Sequence, residues 1–183
     1  MPLVLMLTLA MAAVASALAL QSVMERPIAA AHARTATLHA RAEDGVARVV
    51  EALSTTAAWT MVPAVGVGVP GLSSAGVVVI GPRVVTITTL TTQLNTRLAG
   101  QWPMAAATPR WVALGGMAEG TSGFVAWVAD DPGDTDGSPL ADANNRLLVR
   151  VHAFGAGGGE VALQVLVGRV GGVVRVLTWR EDW

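Results

Sequence analysis

The sequence contains no cysteine, no lysine and no surplus of either charge, because its 12 basic residues, all arginine, stand against 13 acidic residues for a net charge of −1. The absence of cysteine excludes disulfide bonds, thiolate–metal sites and cysteine nucleophiles. The arginines are scattered, so the chain lacks the basic patch that is typical of nucleic-acid binding. We therefore expect no nucleic-acid partner. The 183 residues allow one membrane-associated segment and one modest globular domain.

The motifs of common catalytic sites are incomplete. Residues 66–71 match G-x-G-x-x-G, but Pro70 and a Gly/Ser loop follow where a dinucleotide site needs a helix N-terminus. The segment GLSSA at residues 71–75 lacks the final glycine of a nucleophile elbow. The histidines have no carboxylates at metal-ligand spacing and are interpreted as solvated: His32, His39 and His152. The sequence thus predicts no enzyme, no catalytic residue, no cofactor and no small-molecule substrate.

The first 24 residues are interpreted as a membrane-spanning helix. Residues 3–20 carry no charge, and eighteen helical residues extend roughly 27 Å, close to the ~30 Å hydrocarbon core of a bilayer. A cleaved secretory signal peptide is the alternative, because Ala15-Ser16-Ala17 and Ala17-Leu18-Ala19 fit the small-residue cleavage pattern. Pro27, just beyond the run, lacks an amide proton and should kink or restart the helix.

A second, amphipathic helix is predicted over residues 25–54. Its charged face spaces Asp44, Arg48 and Glu51 for ion pairs. Gly45 costs the helix roughly 1 kcal/mol relative to alanine, which indicates a bend, the close packing of another backbone or a tolerated defect. The apolar residues recur at spacings of three and four, and they are predicted to dock on a sheet: Leu38, Ala42, Val46, Val49, Val50 and Leu53.

Residues 55–76, rich in valine, proline and glycine, are predicted to link this helix to a β-rich domain of residues 77–183. The last three strand-like runs alternate apolar and polar residues as an antiparallel meander does, so Arg150 and His152 would face water. We predict an α+β fold in which the long N-terminal helix packs on one small antiparallel sheet. The strand-like runs are residues 77–80, 84–88, 124–128, 147–153, 161–167 and 173–178, and a short helix through residues 90–98, capped by Thr88 or Thr89, follows the second run.

An acidic loop at residues 130–145 concentrates hard oxygen ligands. Calcium takes about six to eight oxygens, but the EF-hand pattern fails because Pro132 and Ala143 would occupy its first and last ligand positions. An irregular calcium site is the alternative to a solvated connection whose Asp, Asn, Gly and Pro residues set turns. The candidate ligands are Asp130, Asp131, Asp134, Asp136, Asp142 and Asn144. Core or edge packing, rather than ligand binding, is predicted for Trp127, Trp179 and Trp183.

Three segments resemble proteins of the PilX-like type IV pilus assembly family. The segment ATLHARAEDGVARVVEAL, residues 36–53, is similar to the family segment that follows the membrane helix, with Ala42-Glu43 and Gly45-Val46 matching and Asp44 in place of alanine. The segments WVADDPGDTDG and VRVLTWRED are similar to segments of bacterial pilin-like proteins of this type. The resemblance covers the N-terminal helix and roughly the last third of the chain, and leaves residues 55–120 uncovered.

The resemblance implies a pilin-like fold and a minor pilin or pilin-like subunit, a non-catalytic structural protein of a type IV pilus or a related secretion pseudopilus. Its partners would be other pilin or pseudopilin subunits, the inner-membrane assembly platform and the lipid bilayer. The chain would cross the bacterial inner membrane once, with its globular domain in the periplasm or outside the cell. Glu43 and Gly45 mark the family-like segment and are included among the residues predicted for helix–sheet and assembly packing. Members processed by prepilin peptidase have glutamate at the fifth mature position, where this sequence has Leu5, so no processing site is carried over.

The orientation in the membrane and the functional class both have an alternative interpretation. Arg26, Arg34 and Arg41 follow the apolar run, and the positive-inside bias would place that flank in the cytoplasm, opposite to the implied orientation. A secreted β-domain with a cleaved signal, binding calcium or carbohydrate through the acidic loop and the neighbouring Trp127, is the competing functional class.

Overall fold

The computed structural model describes residues 2–98 and 110–182, and the predicted packing residue Trp183 lies outside them. The chain divides into two compact units, Met1–Ala36 and Thr37–Trp183. The fold is α+β, with a long N-terminal apolar helix and antiparallel sheets. The helices are α1 (Pro2–Thr55), α2 (Val62–Val65) and α3 (Ile87–Leu98), and the strands are β1 (Val77–Ile80), β2 (Arg83–Thr86), β3 (Val112–Glu119), β4 (Ser122–Asp130), β5 (Arg146–Gly155), β6 (Glu160–Val170) and β7 (Val173–Asp182).

Helix α1 runs without interruption for 54 residues, with Pro27 inside it. The prediction that the helix restarts at Pro27 is therefore wrong. A proline removes one backbone hydrogen bond, and the alanine-rich turn that follows has the highest helix propensity, which favours continuation. In the first unit, the hydroxyls of Thr8 and Ser16 donate to the carbonyl oxygens of Leu5 and Ala12 at 2.9 and 2.8 Å, so both polar side chains are satisfied within the helix.

The second unit is built on a five-stranded antiparallel sheet with strand order β3-β4-β5-β6-β7, each strand pairing with the next in sequence. The predicted meander of the last three strands is confirmed. The prediction of a single sheet is wrong, because β1 and β2 form a separate two-stranded hairpin. Strand β3 was not predicted, since its sequence VALGGMAE has two adjacent glycines and no regular alternation.

One face of the sheet packs against the end of α1, as predicted. The apolar residues of β5 that point to this face are Leu147, Val149, Val151 and Ala153. They share one buried cluster with Phe124, Ala126 and Val128 of β4 and with the apolar stripe of α1. Alternate residues of β4 and β5 therefore pack against the apolar residues that recur every three or four positions along α1.

The opposite face of the sheet is covered as well. The β1–β2 hairpin and α3 pack there on Val125, Trp127 and Phe154. Strand β4 is consequently buried along its whole length. The prediction that Arg150 and His152 face water is therefore wrong, because both are only partly exposed on this second face. Helix α3 follows β2 directly and starts earlier than a cap at Thr88 or Thr89 would allow.

The predicted linker over residues 55–76 is part of the core. It contains α2, and Trp59, Val62 and Val69 are buried in the same cluster as α1. Ser73 of this segment and Gly116 of β3 exchange backbone hydrogen bonds of 2.9 and 3.0 Å. The glycine and proline residues that indicated a connecting loop provide the turns of a packed segment.

Candidate assembly surface and acidic loop

The docking face of α1 comprises most of the residues that the sequence assigned to it. Leu38, Ala42, Val46, Val49 and Leu53 are buried, and Val50 is partly buried against the same cluster. Glu43 is exposed. Its assignment to helix–sheet packing is wrong, because it is one residue beyond Ala42 and therefore about 100° around the helix.

Gly45 is needed for close packing of the helix on the sheet. A Cβ atom at this position would lie 2.6 Å from Val151 Cγ1 and 2.9 Å from Phe124 Cδ2. These distances are shorter than van der Waals contact, so a side chain would push the helix from β4 and β5. Close packing explains the glycine, but the neighbours are the side chains of Val151 and Phe124 rather than the backbone that the sequence suggested.

Polar side chains of α1 contact both edge strands of the five-stranded sheet, β3 and β7. Arg41 Nη1 lies 2.7 Å from Glu119 of β3, and Arg41 Nε donates to Ser122 Oγ at 3.1 Å. His39 Nε2 lies 3.2 Å from Glu181 of β7, so its interpretation as a solvated residue is wrong.

Within α1, Arg48 Nε donates to Asp44 at 3.0 Å, which is the predicted i,i+4 pair. The predicted Arg48–Glu51 pair is not among the ion pairs of residues 2–98 and 110–182.

The C-terminal end of α1 is held by two residues that the sequence did not identify. Arg169 of β6 donates to the carbonyl oxygens of Leu53, Thr56 and Ala57. Its guanidinium lies 4.6 Å from the ring centroid of Trp59, whose Nε1 donates to Leu53 O at 3.1 Å. These bonds satisfy carbonyls that a helix end leaves unpaired. No local motif relates Arg169 to a helix more than 100 residues earlier, whereas a tryptophan just after an amphipathic helix is a recognisable packing signal.

The first unit presents an apolar surface. Its valine, leucine and methionine side chains are exposed all around the helix, with Val14 60% and Met6 75% exposed. A window of 18 residues in α1 has a mean hydropathy of 2.1 and no buried residue. By length and composition this helix can cross a membrane, a criterion that a signal sequence also meets.

The acidic loop between β4 and β5 brings three carboxylates together. Carboxylate oxygens of Asp130, Asp134 and Asp136 all lie within 4.8 Å of one another. Asp130, Asp131 and Asp142 are buried, so the prediction of a solvated connection is wrong for these three residues. Asp130 is the last residue of β4. Every second residue of a strand lies on the same face, so Asp130 shares the face of Phe124, Ala126 and Val128, which packs against α1.

Electrostatics in the loop are set by burial and by like charges. Burial, and then repulsion from Asp134, Asp142 and Asp136, raises the pKa of Asp130 to about 7. Burial also raises the pKa of Asp142. Burial opposes ionisation of Asp134 too, but backbone N–H groups, led by that of Ala143, outweigh it and lower its pKa.

The other candidate ligands have hydrogen-bonding roles within the loop. Asp131 accepts from the backbone N–H of Gly133 at 3.0 Å and from Asn144 Nδ2 at 3.3 Å. Asp142 accepts from the backbone N–H of Arg146 at 3.1 Å. The structure thus reduces six candidate residues to a cluster of three, and assigns Asp131, Asp142 and Asn144 to support of the loop.

His152 and the tryptophans complete the set of sequence candidates. His152 stacks on Phe154 with ring centroids 4.2 Å apart and lies 3.2 Å from Glu160; burial, opposed by Glu160, lowers its pKa to about 4. Trp127 is buried and donates to Thr91 Oγ1 at 2.8 Å, as a packing residue does. Trp179 lies on the edge strand β7 and is 49% exposed, so it is not a core residue.

Comparison of the chain with family models, with curated proteins and with solved structures finds no match. A functional conclusion therefore depends on the sequence segments and on the geometry described above.

Proposed function

We propose that this protein is a membrane-anchored, non-catalytic structural subunit of a type IV pilus or a related secretion pseudopilus, comparable to a minor pilin. The observation that carries the proposal is the division of α1. Its first part exposes apolar residues all around the helix, and its last part buries one apolar stripe against an antiparallel sheet. Pilin-like subunits require both properties in one helix, since the same element anchors the subunit and carries its globular domain.

The exposed apolar part needs an apolar environment. Burial of apolar surface is worth about 25 cal/mol per Å², so a helix with valine, leucine and methionine on every side is unstable in water. The hydroxyls of Thr8 and Ser16 are already bonded within the helix, which removes a cost of leaving water. In the proposed role, the bilayer covers this surface before assembly, and neighbouring subunit helices cover it in a filament.

The docked part supports a structural role. Arg41 and His39 connect α1 to opposite edge strands of the sheet, and Arg169 binds the helix end. These contacts hold residues 37–55 of α1 on the sheet of the second unit. The proposed partners are other pilin or pseudopilin subunits and the inner-membrane assembly platform. The proposed location is the bacterial inner membrane, crossed once, with the globular domain in the periplasm or outside the cell.

The test uses the native host and two matched double variants. Leu9→Arg/Val14→Arg places two charges in the exposed apolar part, where each costs roughly 2.5–3.5 kcal/mol at the centre of a membrane helix. Glu43→Arg/Ala47→Arg places two arginines at exposed positions of the docked part. The wild type and the second variant are expected in the membrane fraction, with wild type also present in sheared surface filaments, while the first variant leaves the membrane. Equal membrane retention of both variants, or filaments that never contain the wild type, would contradict the proposal.

The competing function is a secreted β-domain that binds a ligand through the acidic loop. The convergence of Asp130, Asp134 and Asp136 is the observation that favours it. Intact mass and N-terminal sequencing of the protein from its native host separate the two. A retained apolar segment in the membrane fraction supports the subunit, and a soluble chain that begins near Leu18 or Leu20 supports the secreted domain.

A further inference from the structure

We infer that the β4–β5 loop is a calcium-binding site whose protein ligands include the carboxylates of Asp130, Asp134 and Asp136. This inference does not rest on the proposed assembly role, because the loop belongs to the second unit in either candidate function.

The first supporting observation is geometric. Oxygens of the three carboxylates lie within 4.8 Å of one another. Two ligands on opposite sides of a calcium ion, with Ca–O bonds of about 2.3–2.6 Å, are separated by about 4.6–5.2 Å. One ion can therefore contact all three carboxylates without a rearrangement of the backbone.

The second observation is independent of the cluster's composition. Asp130 is only 5% exposed, and its Oδ1 atom has no hydrogen-bond partner among the described residues. A buried carboxylate oxygen without a donor is costly, and the groups nearest to it in the cluster are acidic. None of residues 130–145 is basic. A bound cation would both satisfy this oxygen and neutralise the repulsion among the three carboxylates.

The ligand chemistry selects calcium among the common metal ions. All three side chains offer hard oxygen atoms, and the group contains neither histidine nor cysteine, which zinc and copper sites favour. An irregular loop can complete a coordination number of about six to eight with backbone carbonyls and water, whereas magnesium demands near-octahedral geometry with bonds of about 2.0–2.1 Å.

The loop holds the ligands in place. Asp134 Oδ2 accepts from the backbone N–H of Ala143 at 2.7 Å, and the backbone N–H of Asp142 donates to the carbonyl oxygen of Thr60 at 3.0 Å. The far side of the loop is therefore tied both to Asp134 and to the segment after α1. A calcium ion would connect Asp130, at the end of β4, to these anchored residues.

The experiment measures calcium binding by the full chain in detergent micelles. After treatment with EGTA and its removal, the protein is titrated with calcium chloride in a calorimeter, and its melting temperature is recorded with calcium chloride and with magnesium chloride at equal ionic strength. We expect one site with a Kd below about 1 mM, as for extracellular calcium modules. The variants are Asp130→Asn, Asp136→Asn and, as a charge-matched control outside the loop, Glu43→Gln, whose side chain is exposed on α1.

Asp130→Asn and Asp136→Asn should each weaken calcium binding about tenfold or more, because each removes one of the three charged ligands. Glu43→Gln should bind like the wild type. Asp130→Asn should also melt at a higher temperature than the wild type without calcium, which shows that the variant folds and that the like charge was destabilising. The inference is overturned if the wild type shows no calcium response at 10 mM, if magnesium raises the melting temperature as much as calcium, or if the loop variants bind as the control does.

Discussion

The two parts of α1 differ both in how apolar they are and in where their apolar side chains lie, because residues 3–20 carry no charge whereas residues 37–55 include five charged residues. In the first unit, Val4, Leu9 and Val14 lie on different sides of the helix and are all exposed. In residues 37–55, the apolar side chains form one stripe, and Leu38, Val46 and Val49 are buried against the sheet. The angular distribution of the apolar side chains, in addition to their number, thus distinguishes the docked part from the first part. A stripe fits one sheet face, whereas an all-round apolar surface needs lipid or several other helices.

The polar residues follow the same division. The first part has hydroxyls bonded within the helix at Thr8 and Ser16. The docked part has Arg41 and His39 bonded to other elements. The comparison predicts that substitutions of buried residues in the docked part change the stability of the domain and that substitutions in the first part do not. Four measurements test this, all by urea denaturation of the full chain in detergent micelles followed by tryptophan fluorescence.

The largest effect is expected for Val46→Asp. Val46 is 3% exposed in the helix–sheet cluster, and an unpaired carboxylate there should lower the free energy of unfolding by about 3–5 kcal/mol. Ala47→Asp places the same residue at the next, exposed position and should change stability by less than about 0.5 kcal/mol. Similar stabilities for the two variants would show that the apolar stripe of residues 37–55 does not dock on the sheet.

Arg169→Ala should lower the free energy of unfolding by about 2 kcal/mol. The substitution removes a charged donor from the carbonyls at the end of α1 and its stacking on Trp59. Arg175→Ala, an exposed arginine on β7, is the control and should be neutral within about 0.5 kcal/mol. If both alanine variants lose the same stability, Arg169 has no special role at the helix end.

Gly45→Ala is expected to destabilise by about 1–2 kcal/mol. Overpacking against Val151 and Phe124 costs about 1–3 kcal/mol and exceeds the gain of roughly 1 kcal/mol in helix propensity. Gly157→Ala, in the β5–β6 turn with open space around its Cβ position, should not destabilise the domain. A more stable Gly45→Ala variant would mean that the glycine is a tolerated defect.

The smallest effect is expected for Val14→Ala. Its side chain is exposed in the first unit, so the free energy of unfolding should stay within about 0.5 kcal/mol of the wild type. Val49→Ala shortens the same residue type in the docked stripe and should cost about 1–3 kcal/mol. Equal changes in the free energy of unfolding at the two positions would contradict the difference in burial between the two parts of α1.

Periodic patterns predicted the docking stripe of α1 and the β5–β7 meander, because burial on one face leaves a period of 3.6 or 2 in the sequence. The covering of the second face by the β1–β2 hairpin and α3 was not predicted. Strand β4 is buried on both faces, so its sequence is a continuous apolar run that does not indicate which elements cover it.

Among the functional candidates, the acidic loop was identified but its buried members were not. Extending the alternation of β4 by two residues beyond Val128 would have placed Asp130 inward. Arg169 could not be found, because its partners at the end of α1 are distant in sequence and share no motif with it.

The most direct test of the divided helix measures the surroundings of both parts in a bilayer. Because the chain has no cysteine, single nitroxide labels can be attached at Val14→Cys and Ala47→Cys, and their accessibility to oxygen and to a water-soluble nickel complex can be compared in reconstituted protein. The account predicts that the label at 14 is accessible to oxygen and shielded from nickel, and that the label at 47 is accessible to nickel. Equal nickel accessibility at the two positions would contradict it.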